Sequence, residues 1–198
     1  MDITYEIEFF TDWHCGAGLS AGAYVDALVV KDPDGLPFLP GRTIKGLLRE
    51  AAEDIVFLRS GNDNDLYKSS LDKVRKAFGY FDGIDLLGVG ALKGTAFFTD
   101  ATLPEDESSA IVAGNLQPYL FRTLSSTAIG EDGIAVDKSL RRMEATVPCS
   151  LEGKIMNLPD DDELREIITD AMRYLKRLGQ NRNRGLGRCS FSPITIES

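Results

Sequence analysis

Residues 35–49 read Gly-Leu-Pro-Phe-Leu-Pro-Gly-Arg-Thr-Ile-Lys-Gly-Leu-Leu-Arg. Pro37 and Pro40 stiffen the approach and disfavour α conformation just before themselves. Gly41 lets the chain turn, and Thr43 has the side chain to cap a helix. Ile44, Leu47, Leu48, Ala51 and Ile55 then recur at helical spacing, so a helix is predicted over 43–57 with one face in a core. Its free N–H groups form an anion-attracting end. Arg42, Lys45 and Arg49 add cations there. The same residues equally describe an ordinary amphipathic helix with solvated charges.

Upstream of this helix, Ile3, Tyr5, Ile7 and Phe9 alternate with Thr4, Glu6 and Glu8, the pattern of a half-buried strand. It leads into a small-residue bend, Trp13-His14-Cys15-Gly16-Ala17-Gly18. His14 is the sole histidine. It reads as a polar residue at a strand end, with general base as the alternative. Residues 24–30 are strand-like but carry Asp26, a residue type depleted in strands. Asp26 therefore either faces solvent or serves chemistry. Asp32 reads as a turn former before Pro33-Asp34-Gly35.

Downstream, a polar loop at 60–65 precedes a predicted helix over 66–78. Alternation of Leu92, Gly94, Ala96 and Phe98 within 86–100 predicts a central strand ending at Asp100. Residues 103–142 are long and irregular, as functional excursions are. Ala145, Val147, Cys149 and Leu151 predict one strand over 144–156. Asp160 with Glu163 resembles an acidic capping box, opening a helix with Leu164, Ile167, Ile168, Ala171, Leu175 and Leu178 on its apolar face and Gly179 at its end. Residues 179–191 form a Gly/Arg-rich loop carrying Arg182, Arg184 and Arg188, and a last strand covers 188–196. Two glycines there permit close backbone approach to a phosphate.

The 198 residues, 43% apolar, suit one globular domain. No apolar run approaches the roughly 18 residues of a membrane span. The strand-like N-terminus lacks a basic-apolar signal pattern, so a cytoplasmic protein without membrane partners is expected. Cys15, Cys149 and Cys189 are widely spaced and lack a Cys-x-x-Cys pair, which fits reduced thiols and neither a disulfide framework nor a zinc site. A net charge of −9 argues against a free-standing nucleic-acid binder. Its distribution is uneven: residues 171–188 contain no acid but hold Arg173, Lys176, Arg177, Arg182, Arg184 and Arg188. Such a face suits RNA held within an assembly, or an acidic partner.

Strand, helix, strand, insertion, strand, helix, strand is an α+β order, the ferredoxin-like (RRM-like) βαββαβ plan with a long insertion. The open sheet face lacks clustered aromatics, which favours backbone-phosphate contacts over base stacking. Pro40-Gly41-Arg42-Thr43-Ile44-Lys45-Gly46 resembles the Pro-Gly-Ser-Ser-Leu-Lys-Gly signature of the RAMP superfamily of CRISPR proteins, with Arg42 in place of a small Ser. Ala77-Phe78-Gly79, Phe97-Phe98-Thr99-Asp100-Ala101 and the loop Arg182-Asn183-Arg184-Gly185-Leu186-Gly187 are similar to further family segments, in the family's order.

That resemblance implies one RAMP domain over 1–198 with a β-thumb within 101–143. It implies a backbone subunit of a type III effector that holds guide RNA, pairs it with target RNA, and packs against other effector subunits, copies of itself among them. The resemblance makes Arg42, Lys45, Arg49, Arg182, Arg184 and Arg188 guide contacts, and Lys138, Arg141 and Arg142 thumb contacts. The pattern from Gly22 through Asp26 to Gly41 resembles that of target-cleaving subunits, so Asp26 is the candidate catalytic residue, with Mg²⁺ as its cofactor. Two alternatives stand beside this: a RAMP endoribonuclease that matures guide precursors with His14 as base, and a non-catalytic structural subunit.

Overall fold

The computed structural model describes residues 1–18, 25–81 and 91–197. Strand β1 (Asp2–Phe9) alternates as its sequence does, with Ile3, Tyr5, Ile7 and Phe9 buried. Helices α1 (Gly41–Ser60) and α2 (Asn64–Phe78) follow. Next come short strands β2 (Gly79–Phe81), β3 (Ala91–Lys93) and β4 (Phe97–Phe98), then helix α3 (Glu105–Ala113). Strands β5 (Phe121–Ser126), β6 (Arg141–Thr146) and β7 (Ser150–Met156), helix α4 (Asp162–Tyr174) and strand β8 (Cys189–Glu197) complete the chain.

The main sheet has the order β4-β7-β1-β8, antiparallel throughout. Renumbered as a βαββαβ unit, this is the ferredoxin-like arrangement. The apolar faces of α1, α2 and α4 pack on one side of it, around Leu48, Val74, Leu164, Ile168 and the inward residues of β1 and β7. The opposite face is acidic: Glu6 lies directly across from Glu152 in register, and Glu8 is exposed.

Several boundaries differ from the expectation. Helix α1 begins at Gly41, two residues before Thr43, and no side chain at its N-cap position bonds to it. Instead Asp100, 59 residues later, accepts the Gly41 N–H at 2.7 Å. Gly41 is buried, and a Cβ there would meet the backbone of Phe98 and lie 2.7 Å from the Thr99 carbonyl oxygen. Its small size lets α1 lie directly on β4. The strand expected over 86–100 is not central: β3 pairs with β2, while β4 is a two-residue edge of the main sheet. Its first part, 86–90, lies outside the described residues. The strand expected over 144–156 is two strands, because Pro148 cannot donate to a ladder. Helix α4 is capped by Asp161, which accepts the Leu164 N–H at 2.9 Å, and Glu163 reaches across to Ser70 and Lys73. It ends at Tyr174. Leu175 and Leu178 continue its apolar pattern in extended backbone, pulled out of the helix by pairing of 176–178 with 187–189.

The insertion contains α3, a 3-10 turn at Gln117–Leu120 and an antiparallel hairpin of β5 and β6, from Phe121 opposite Thr146 to Ser126 opposite Arg141. The hairpin tip is exposed, with Ile129 and Ile134 more than 60% accessible.

Candidate nucleic-acid interface

The bend after β1 is the point on which the other candidate segments converge. Phe10 N–H donates to the Arg188 carbonyl, Gly187 N–H to the Asp12 carbonyl and Gln180 N–H to the His14 carbonyl, all at 2.8–2.9 Å. These bonds anchor the Gly/Arg loop 179–187. Its stems pair with each other through Leu178 N–H to the Gly187 carbonyl and Cys189 N–H to the Lys176 carbonyl. Gly179 has φ +90°, and a Cβ there would sit 2.5 Å from the His14 carbonyl oxygen. Gly179 thus serves close approach to the bend, and does not terminate α4. Asn181, Gly185 and Gly187 also adopt positive φ, as a tight cationic loop requires.

The start of α1 joins the same region. Cys15, Leu39, Thr43, Ile44 and Leu47 share a small apolar cavity with Leu178, Gly179 and Phe191. The two cation-bearing corners, one opening α1 and one trailing α4, therefore abut. The thumb base closes the third side: Asn181 Nδ2 donates to the Met143 Sδ at 3.5 Å, and Arg122 Nη1 lies 3.4 Å from the Asp12 carboxylate.

Asp26 is exposed at this thumb base. Its N–H donates to the Arg142 carbonyl at 2.8 Å, and its Oδ2 accepts the Arg142 N–H at 2.7 Å. Ala27 bridges Met143 in parallel, and Val29 bridges Gly16. Gly22 and Tyr24, which belong to the expected pattern and strand, lie outside the described residues. Among the described residues no three His, Cys, Asp or Glu side chains gather as a metal site. Mg²⁺ is commonly held by one or two carboxylates together with substrate phosphates. One exposed carboxylate with a single oxygen on a backbone N–H fits the protein's share of such an open site.

Eight candidates, Arg42, Arg49, Lys138, Arg141, Arg142, Arg182, Arg184 and Arg188, are exposed. Like the exposed Lys68, Lys76, Lys93, Lys154, Lys176 and Arg177, they have among the described residues no carboxylate within 4.0 Å. Arg59, Lys73, Arg75, Arg165 and Arg173, on the helices, each face one. The Arg188 guanidinium also lies 5.5 Å from the Phe10 ring centre.

Lys45 departs from the expected role. Its ammonium donates to the Ala96 carbonyl at 2.8 Å and lies 5.7 Å from the Phe98 ring centre. Burial, followed by neighbouring Arg49, holds it below the usual lysine range. Lys45 ties α1 to β4, with one of its three donors already committed. The helix end is likewise less open than expected, because Asp100 occupies the Gly41 N–H and brings a negative charge.

His14 is wholly buried, with Nδ1 2.6 Å from the Glu144 carbonyl oxygen. A carbonyl only accepts, so Nδ1 carries a proton. A buried imidazole cannot reach an RNA hydroxyl, and the alternative with His14 as general base loses its base. The thiols are free; Cys15 and Cys189 are buried and Cys149 half-buried, and burial pushes Cys149 up to about 11 and Cys189 up to about 12. Glu144, Lys31 and Asp100 were not singled out as functional from sequence. Asp100 has a signal in hindsight, an acid closing the strand that meets the Pro-Gly corner.

The description "RAMP superfamily" belongs to a family model that matches residues 6–190. No curated protein matches the chain. Among solved structures, a chain of the "Cryo-EM structure of the Type III-B Cmr-beta bound to cognate target RNA" superposes with a TM-score of 0.68 at 10% identity, covering 98% of this chain and 97% of that one. A chain of the "Type III-B Cmr-beta Cryo-EM structure of the Apo state" gives 0.67 at 12%, covering 98% of each. At such identities the likeness speaks for the fold.

Proposed function

The chain belongs to the RAMP superfamily, and from that premise we propose that it is a guide-RNA-binding backbone subunit of a type III-like CRISPR effector. The observation that carries this reading is the convergence of Arg42, Arg49, Arg182, Arg184 and Arg188, exposed and, among the described residues, without a carboxylate within 4.0 Å, on two abutting corners beside the thumb that bears Lys138, Arg141 and Arg142. Cations left unpaired at a surface are available to phosphates, and phosphate contacts position a strand without reading its sequence. The likeness to chains of Cmr-beta structures, one of them bound to cognate target RNA, supports the same assignment.

The protein's own residues divide the work. Arg42, Arg49, Arg182, Arg184 and Arg188 hold the guide backbone, with Lys45 bracing α1 beneath them. Lys138, Arg141 and Arg142 meet the paired strands at the thumb. The acidic sheet face and the net charge of −9 leave the isolated chain a weak RNA binder, so the guide is held within an assembly of other effector subunits and copies of this one. In this reading Asp26 is the group that meets the target strand, and its bonds to the Arg142 backbone at the thumb base support that role. Asp26 would supply the protein's ligand to a Mg²⁺ ion, and the chemistry such an ion would supply there is activation of a nucleophile and stabilisation of charge developing on a phosphate.

The test is the assembled complex with guide and complementary RNA in Mg²⁺, compared with Asp26→Ala. Regularly spaced cuts that vanish in the variant while RNA stays bound support both halves of the proposal. Salt-sensitive binding without cuts in either protein retains the RNA-binding half and makes the subunit non-catalytic. Absence of salt-sensitive RNA binding overturns the assignment.

A further inference from the structure

Every polar group of Glu144 is engaged, three with residues 27–31 and one with His14 in the bend. Its N–H donates to the Ala27 carbonyl at 2.9 Å. Its carbonyl accepts from His14 Nδ1 at 2.6 Å. One carboxylate oxygen, Oε2, accepts the Val29 N–H at 3.1 Å, and the other, Oε1, pairs with Lys31 Nζ at 2.8 Å. Lys31 in turn lies 3.9 Å from the centre of the Phe121 ring on β5, so its ammonium touches both thumb strands. The Glu144 side chain is 15% exposed, which shields the pair from screening.

Among the described residues, backbone bonds also join 25–31 to the bend (Ala17 N–H to the Leu28 carbonyl, Val30 N–H to the Cys15 carbonyl), and isolated bridges join it to Met143 and Pro37. The Glu144 carboxylate adds the side-chain tie from Val29 and Lys31 to the thumb. Asp26 itself meets only Arg142 among the described residues, its N–H donating to the Arg142 carbonyl and its Oδ2 accepting the Arg142 N–H. A carboxylate that must meet a particular phosphate needs its segment held in one register, because a misplacement of about 1 Å can cost a factor on the order of 10² in rate.

We infer that Glu144, clamped by Lys31 and by the buried His14, is the positioning residue that sets Asp26 against the thumb. The inference rests on the proposed role of Asp26 in target cleavage. Glu144 touches neither RNA nor a reacting atom in this account, and none of the candidate RNA-binding residues contributes to the clamp.

The experiment uses the assembled complex carrying Glu144→Ala, Glu144→Gln or Lys31→Met, with target cleavage, RNA affinity and amide hydrogen exchange measured in parallel. Glu144→Ala should slow cleavage about 10²-fold while guide and target affinity stay within about threefold. Glu144→Gln, whose amide oxygen can still accept the Val29 N–H but whose NH2 faces the Lys31 ammonium, and Lys31→Met, which keeps the Val29 bond, should each fall between the parent and Glu144→Ala. Exchange should quicken in 25–31 and stay unchanged in β1, β7 and α4. Parallel loss of affinity and cleavage would make Glu144 a general brace and overturn the inference, as would unchanged exchange in 25–31 for Glu144→Ala. If the unmodified complex does not cleave, the assignment of Asp26 fails on that control. The exchange result then still decides whether the clamp orders the segment.

Discussion

Replacing Gly41 by Ala separates what the Pro-Gly corner does for the fold from what it does at the surface. The new methyl would press on the backbone of Phe98 and Thr99, which cannot rotate away. Helix α1 must move off β4, and the bond from Gly41 N–H to Asp100 stretches. Overpacking costs about 1–3 kcal/mol and loss of a cap about 1 kcal/mol, against about 0.5–1 kcal/mol regained from the helix preference of Ala. The net expectation is a loss of about 2 kcal/mol. Gly46 is the internal control: it lies in the same helix, is exposed, and a Cβ there meets nothing within 4 Å. Gly46→Ala should therefore gain about 0.5–1 kcal/mol. Denaturant unfolding of the two variants reads both numbers. Equal stability of Gly41→Ala and the parent would refute the close packing of α1 on β4, and a destabilised Gly46→Ala would show a contact this account lacks.

Gly179→Ala should strain the Gly/Arg loop, since Ala is poorly suited to φ +90° and its methyl would meet the His14 carbonyl; a loss of about 2 kcal/mol or more in thermal unfolding is expected, and unchanged stability would contradict the docking of the loop on the bend. Lys73 bonds Asp161 and Glu163, and these contacts hold both carboxyls below their ordinary range. A carboxyl lowered on folding stabilises above its unfolded value and loses that contribution as pH falls through the folded one, so Lys73→Met should flatten the acid side of the stability profile below about pH 5. With all three side chains about one-third exposed, the effect should stay within about 1 kcal/mol; an unchanged acid limb in titration-linked unfolding would refute it.

The sheet core was legible because β1 alternates strictly and α1 and α4 carry continuous apolar faces. Hydrophobic spacing reports such elements directly. The same signal misled at Leu175 and Leu178, which are apolar at helical spacing yet lie in extended chain, Leu175 half-buried and Leu178 buried. Periodicity shows that a residue is buried and leaves open which backbone buries it. Pro148 was a readable break inside the strand expected over 144–156, but the alternation around it looked continuous.

Site geometry was less legible because its decisive contacts join residues far apart in sequence. Asp100 caps α1 from 59 residues away, Lys45 turns to the carbonyl of Ala96, and Glu144 meets His14 across 130 residues. None of these has a local signature. The burial of His14 was equally hidden, since a lone histidine in a small-residue bend reads as a surface group. The cations of the Gly/Arg loop were visible from their acid-free surroundings in sequence, and the structure leaves them exposed.

The most direct measurement is the salt dependence of guide-RNA retention by the assembled complex. It compares the parent with Arg42, Arg49, Arg182 and Arg184 replaced together by Ala, and with Arg59, Arg165 and Arg173 replaced as the paired control. Four lost contacts to single-stranded phosphate should reduce the slope of log affinity against log salt by about 3, with the control unchanged. Equal slopes for all three complexes would mean that the two corners do not carry the RNA.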